Sequence, residues 1–179
     1  LGLEWYRGWS SIIVYPGEFL VPRSVADEDG VVHEYTEPIT GEAWEGGPLL
    51  LSWEDAQRRT TDAGSAYSVV IHEFVHKIDL LDGAADGCPP LPAELPGAAW
   101  ARDFQTAYEE LCAALDHDEP VRIDDYAGES PAEFFAVLSE AFFLAPAIVQ
   151  SDFPAVYRQL AAFYRQDPLA VLAEATGVT

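Results

Sequence analysis

The chain has 179 residues, 49% of them hydrophobic and 12% aromatic, and carries 31 acidic against 9 basic side chains for a formal net charge of −22. That apolar content is ample for a packed core and excludes a disordered chain, while no run approaches the ~18 apolar residues that span a bilayer. So acidic a surface repels phosphate backbones and anionic headgroups, which disfavours direct nucleic-acid or membrane binding.

The β-branched run Ser11 to Tyr15 reads as a strand stopped by Pro16-Gly17. Asp27 to Gly30 is a turn signal, and Val31 to Glu37 alternates as a second strand. Gly46-Gly47-Pro48 breaks the chain before a third strand at Leu49 to Trp53, where Ser52 is placed to cap a short helix. From about Tyr67 to Leu81 the period becomes helical, with Val70, Phe74, Ile78 and Leu81 on one face. Asp82-Gly83 ends that helix, and Ala84 to Gly97 is a Pro/Gly/Ala loop. Ala98 to Leu115 is helical, Asp116 to Ser130 is polar, and Pro131 opens a helix to about Leu144. Segments at Pro154 to Arg165 and Pro168 to Ala175 close the chain. Strands first and helices after make the class α+β: a small mixed sheet followed by a mostly helical C-terminal half. The length fits one domain over 1–179. The first ten residues already read as folded sequence and there is no methionine, so an N-terminal segment of the natural protein is expected to be missing.

His72-Glu73-Phe74-Val75-His76 matches His-Glu-x-x-His within the helical stretch. Residues four apart share a helix face, so both imidazoles can meet one metal ion, and zinc accepts such nitrogens at about 2.0–2.1 Å. Glu73 projects beside the pair, where it can serve as general base toward a water. The apolar flanks Val69-Val70-Ile71 and Phe74-Val75 mark a buried helix, in which two histidines and a glutamate require polar partners or a metal. A catalytic zinc needs a third protein ligand. Glu133, 57 residues after His76, and Glu140 stand on one face of the Pro131 helix, while Asp79, Asp82 and His117 are also available. Ser130-Pro131-Ala132-Glu133 equally reads as a capping box, so periodicity alone leaves ligand and cap open for Glu133, and Glu140 open as ligand.

The segment Val70 to Asp79 resembles the Mlc titration factor A family of bacterial zinc peptidases. So does Asp125-Tyr126-Ala127 leading into Ser130 to Glu140. The likeness extends to Tyr15-Pro16, to Gly41-Glu42-Ala43-Trp44 with Gly47-Pro48, and to Phe163 to Pro168, almost the whole chain. The family is similar in turn to the anthrax lethal factor catalytic domain, which implies a zincin-like fold. The resemblance implies His72, His76 and Glu133 as zinc ligands in the gluzincin manner and Glu73 as catalytic base. It implies a place near the metal for Tyr126, whose phenol can donate to an oxyanion. One departure is Val137, where thermolysin-like gluzincins carry an aspartate behind a histidine; Asp79 and Glu140 are the candidates to supply that support here.

Leu49 to Trp53 reads equally as a substrate-accepting edge strand and as an ordinary core strand. Trp44, Trp53, Trp100 and the pairs Phe134-Phe135 and Phe142-Phe143 are expected in the core, and His33 and His117 in solvent. Cys88 and Cys112 make no disulfide framework in a chain this size. They read as free thiols of a reducing compartment, with a single bridge as the alternative, and no basic-then-apolar leader opens the chain, so the expected place is the cytoplasm. The leading functional reading is a zinc metallopeptidase acting on a peptide or protein. The second, implied by the family's name, is a binding protein that sequesters a transcriptional repressor. A structural zinc is disfavoured, because such sites are closed by four ligands and rich in cysteine.

Overall fold

A computed structural model describes residues 1–6, 8–26, 30–58 and 66–176. Five strands come first: β1 (Ile12–Tyr15), β2 (Phe19–Ala26), β3 (Val32–Ile39), β4 (Gly41–Ala43) and β5 (Leu49–Ser52). Seven helices follow among the described residues: α1 (Trp53–Gln57), α2 (Val69–Asp79), α3 (Gly97–Asp116), α4 (Pro131–Leu144), α5 (Pro146–Asp152), α6 (Pro154–Tyr164) and α7 (Pro168–Thr176). The α+β class and the strand-then-helix order stand. The sequence reading missed β2, β4 and α5. Most of the expected turn, Asp27 to Asp29, lies outside the described residues.

The strands form two sheets. β2 and β3 pair antiparallel along their whole length, Phe19 opposite Ile39 and Ala26 opposite Val32. The other sheet runs β1-β5-β4, with β1 parallel and β4 antiparallel to β5. All four residues of β5 are buried. It is therefore the middle strand, which corrects the edge reading of Leu49 to Trp53; the edge beside the histidine helix is β4. Trp44 and Trp53 also depart from expectation, at 48% and 55% exposed, whereas Trp100, Phe134, Phe135 and Phe142 are core. A tryptophan in a short strand-flanking segment finds no second layer to cover it.

Local chemistry sets the helix starts. Ser52, Ser68 and Ser130 each accept a backbone N–H three residues on, capping α1, α2 and α4. Pro131, Pro146 and Pro154 stand in the first turns of α4, α5 and α6, where a missing N–H costs nothing. α4 is buried from Phe134 through Phe142, so it forms the axis of the helical half. Trp100 and Phe104 stack beside it at 4.3 Å between centroids, and Phe163 meets Trp100 at 5.2 Å.

α2 joins the two halves. Val69 packs with Leu49 and Leu51 of β5, while Val75 and Ile78 belong to the large helical core. Lys77, the only lysine of the chain, is 4% exposed. Its Nζ donates to the carbonyls of Trp44 and, at 2.9 Å, Gly47, pinning the turn after β4 to the helix. Burial pushes its pKa down.

Candidate active site

Two helices carry the site. α2 presents His72 and His76 from one face. α4, packed against it, presents Glu133 from its first turn. Glu133 Oε2 lies 2.9 Å from His72 Nε2 and 3.2 Å from His76 Nε2, and the two Nε2 atoms are 3.0 Å apart. The backbone and the carboxylate of Glu133 have separate partners. Its backbone N–H is capped by Ser130 Oγ at 3.2 Å, but its carboxylate turns to the histidines.

Glu140, two helical turns further along α4, stands behind His72. Its Oε1 faces His72 Nδ1 at 2.8 Å, and its Oε2 accepts the N–H of Ser68, the α2 cap. Glu140 is 2% exposed. This carboxylate fixes the imidazole orientation so that Nε2 faces Glu133. It occupies the place that the valine at 137 leaves unfilled. Asp79, the other candidate, points elsewhere: its Oδ2 accepts the Gly87 N–H at 2.8 Å. His117 caps the end of α3, with Nδ1 2.6 Å from the Ala113 carbonyl, and Asp82 lies in the turn after α2; neither joins the cluster.

Glu73 faces the cleft from the side of the histidine pair, 6% exposed. It packs on the backbone of β4. A Cβ on Gly41 would lie 2.6 Å from Glu73 Cγ and Oε1, so a larger residue at 41 would force this carboxylate out of its observed position. Tyr126 sits in a 3-10 turn, Asp125–Gly128, capped by Asp124. Its ring centroid is 6.1 Å from that of His72, and the residue is half exposed along the cleft. The cleft measures about 510 Å³ and runs between Glu37 to Gly41 on the strand side and Asp124 to Tyr126 on the other.

The electrostatics follow from this packing. Burial alone would lower the His72 pKa, but its bonds to Glu133 and Glu140 outweigh that and push it up to about 10. Burial acts upward on Glu133, yet the two imidazoles hold its carboxyl down at about 2. Glu73 has no such bond; burial raises it to about 7, with the histidines only moderating the rise. Burial, with the charges of Glu133 and Glu73, pushes the Tyr126 phenol up to about 12, so it keeps its proton at neutral pH.

A divalent cation fits this donor set. Two imidazole nitrogens and one carboxylate oxygen converge within 4.8 Å of one another, and a second carboxylate orients one imidazole from behind. The comparison with known sequences agrees in kind. The profile of the glucose-regulated metallo-peptidase M90 family matches residues 1–165. The chain belongs to this family. Mlc titration factor A of Serratia proteamaculans (strain 568) is 42% identical over 175 residues, 96% of this chain and 66% of that protein. The Mlc titration factors A of Yersinia pestis (strain Pestoides F) and Yersinia pseudotuberculosis (serotype O:1b) are each 40% identical over the same span, which is 64% of their length. The chain thus spans about two thirds of the length of these relatives. The resemblance read from its motifs is the family it belongs to, a family of metallopeptidases.

Sequence reasoning missed Gly41 as a neighbour of Glu73, although Gly41 opens the Gly41-Glu42-Ala43-Trp44 block that resembles the family. A glycine in a strand is the signal, since it marks close approach of another group. Cys88 and Cys112 are free thiols, and no described helix is long and apolar enough to cross a membrane.

Proposed function

We propose that His72, His76 and Glu133 hold a zinc ion and that residues 1–179 form one catalytic domain that hydrolyses peptide bonds, with Glu73 as general base and Tyr126 as oxyanion donor. The observation that carries this reading is the convergence of the three donor atoms, 2.9–3.2 Å apart, with Glu140 locked behind His72. Two imidazoles and one carboxylate are a donor set that suits zinc. When bound, zinc would supply Lewis acidity, polarising the scissile carbonyl and lowering the pKa of a water in the site.

The chain's own groups do the rest. Glu73 takes a proton from the attacking water, the hydroxide adds to the carbonyl carbon, and the C–N bond breaks as Glu73 returns the proton to the leaving amine. A carboxyl held near 7 by burial suits both halves of that shuttle. The phenol of Tyr126, protonated at neutral pH, donates to the carbonyl oxygen as charge develops there. The free edge of β4 offers backbone groups to an extended substrate beside Glu73.

Elemental analysis of the purified chain and of Glu133→Ala tests the metal. We expect about one zinc per chain, lost in the variant; no zinc, and none taken up on addition, would sink the reading. Glu73→Gln should then retain zinc and abolish cleavage of a peptide library. The name of the relatives supports a second activity, capture of the repressor Mlc. Binding of that repressor undiminished in Glu73→Gln would make contact rather than cleavage the basis of titration. Capture of a repressor would place the protein in the cytoplasm, where a repressor is met.

A further inference from the structure

Gly87 stands where three parts of the site's framework meet. Its N–H donates at 2.8 Å to Asp79, the last residue of α2 and wholly buried. Its carbonyl accepts from Trp100 Nε1 of α3 at 3.2 Å. Its third side is pressed against Pro131, which opens α4 two residues before Glu133. A Cβ at position 87 would lie 2.4 Å from the Pro131 carbonyl oxygen and 2.9 Å from its carbon. These are backbone atoms and cannot swing aside. With φ at +78°, the position also favours glycine for its conformation.

We propose that Gly87 is a positioning residue of the metal site: tied to Asp79 and Trp100, it sets how closely the first turn of α4 approaches the histidine helix, and so where Glu133 stands relative to His72 and His76. The inference rests on the reading of those three residues as ligands. The magnitudes favour a large effect. Ordinary contact begins at 3.4 Å, so with a Cβ at 2.4 Å the Gly87 loop and the α4 turn must part by about 1 Å, and the bonds of Gly87 to Asp79 and Trp100 resist movement on the loop side. Metal–ligand distances tolerate only about 0.2 Å. The displaced atoms are two residues from Glu133, on the same rigid helix.

Gly83 provides the matched control. It has φ at +91°, but a Cβ there meets only the flexible Glu45 carboxylate, at 3.4 Å. Gly83→Ala therefore carries the left-handed backbone strain without the collision. The experiment is titration of the zinc-depleted full chain with cobalt(II), reading the visible d–d band and the Kd by chelator competition, beside a thermal melt. Gly83→Ala should melt earlier yet bind cobalt with the wild-type Kd and band. Gly87→Ala should bind about 10–100-fold more weakly, with a changed band. A Kd for Gly87→Ala within about twofold of Gly83→Ala, with the same band, overturns the proposal, since so small a gap is far below the loss seen when a metal ligand loses its support.

If Gly87→Ala does not fold, Asp79→Ala and Asp79→Asn carry the test. The first removes the acceptor of the Gly87 N–H and should weaken cobalt binding about tenfold; the second keeps an acceptor and should stay within about threefold. Equal affinities in the two overturn the proposal. A wild-type chain that takes up neither cobalt nor zinc overturns the ligand assignment itself, and this inference with it. Wild-type binding with an indifferent Gly87→Ala overturns this inference alone.

Discussion

On one side of the cleft stand α2 and α4, with Phe134 through Phe142 buried without interruption and Val75 and Ile78 of the histidine helix in the same core. On the other runs the β3–β4 stretch, whose hairpin leaves Leu20 69%, Val32 59% and Tyr35 50% exposed. The two walls meet different demands. A metal site needs donor atoms placed to a few tenths of an ångström, and only close-packed helices hold side chains that firmly. A wall that receives varied peptides needs an open edge and backbone groups, which a strand supplies without a core behind it.

The largest effect should come from the ligands. His72→Ala should empty the metal site, whereas Glu140→Ala should keep zinc with affinity weakened about 10–100-fold, as competition with a chelator would show. If Glu140→Ala emptied the site as completely, Glu140 would be a ligand rather than a support, and the helical wall would be built differently from the account above.

Stability should divide along the same line. Phe135→Ala removes a fully buried ring and should cost about 3–5 kcal/mol in a urea melt. Leu20→Ala on the hairpin should cost about 0.5 kcal/mol or less. Comparable losses at both positions would mean that the hairpin shares the core's cooperativity.

Tyr126→Phe tests the groups between the walls. Loss of one oxyanion donor should lower kcat by about 10²–10³-fold with zinc content and KM little changed. A rise in KM alone would make Tyr126 a binding residue of the substrate wall.

A further effect is a pH slope within the helical wall. Burial pushes the Asp79 carboxyl from an ordinary 3.8 up to about 6. The folded protein then holds this proton more tightly than the unfolded chain. Stability from this source is complete below pH 4 and is lost as pH rises through 6, by about 2–3 kcal/mol. Melts of Asp79→Asn against wild type should shift by that amount in the variant's favour between pH 4 and pH 7. A flat difference would show that Asp79 is not desolvated as its burial implies.

Some of this was legible without coordinates. The serine caps and first-turn prolines, the helical period around His72 to His76 and the full span of α4 all rest on interactions within a few residues, which a sequence displays directly. Strands β2 and β4 and helix α5 escaped because their pattern is weak and their existence depends on a partner, even though β2 is as long as β3. β4 has three residues and is a strand only because Leu49 to Leu51 lie beside it. Trp44 was misplaced for a related reason: composition says that tryptophan is buried on average, but not whether a second layer covers a given one.

By itself, then, the sequence determined the α+β order, the histidine pair on one helix face and the glutamate between them, because i to i+4 geometry is local. It also offered Glu133 and Glu140 on one face of another helix, without a way to rank them short of family likeness. Only the tertiary structure separated the two in space. The packing of α4 on α2 aims Glu133 at both Nε2 atoms and sets Glu140 behind His72 Nδ1. It likewise revealed glycines at 41 and 87 as contact points, because the groups they make room for, Glu73 and Pro131, are more than thirty residues away in the chain but stand under three ångströms from where a Cβ on each glycine would lie.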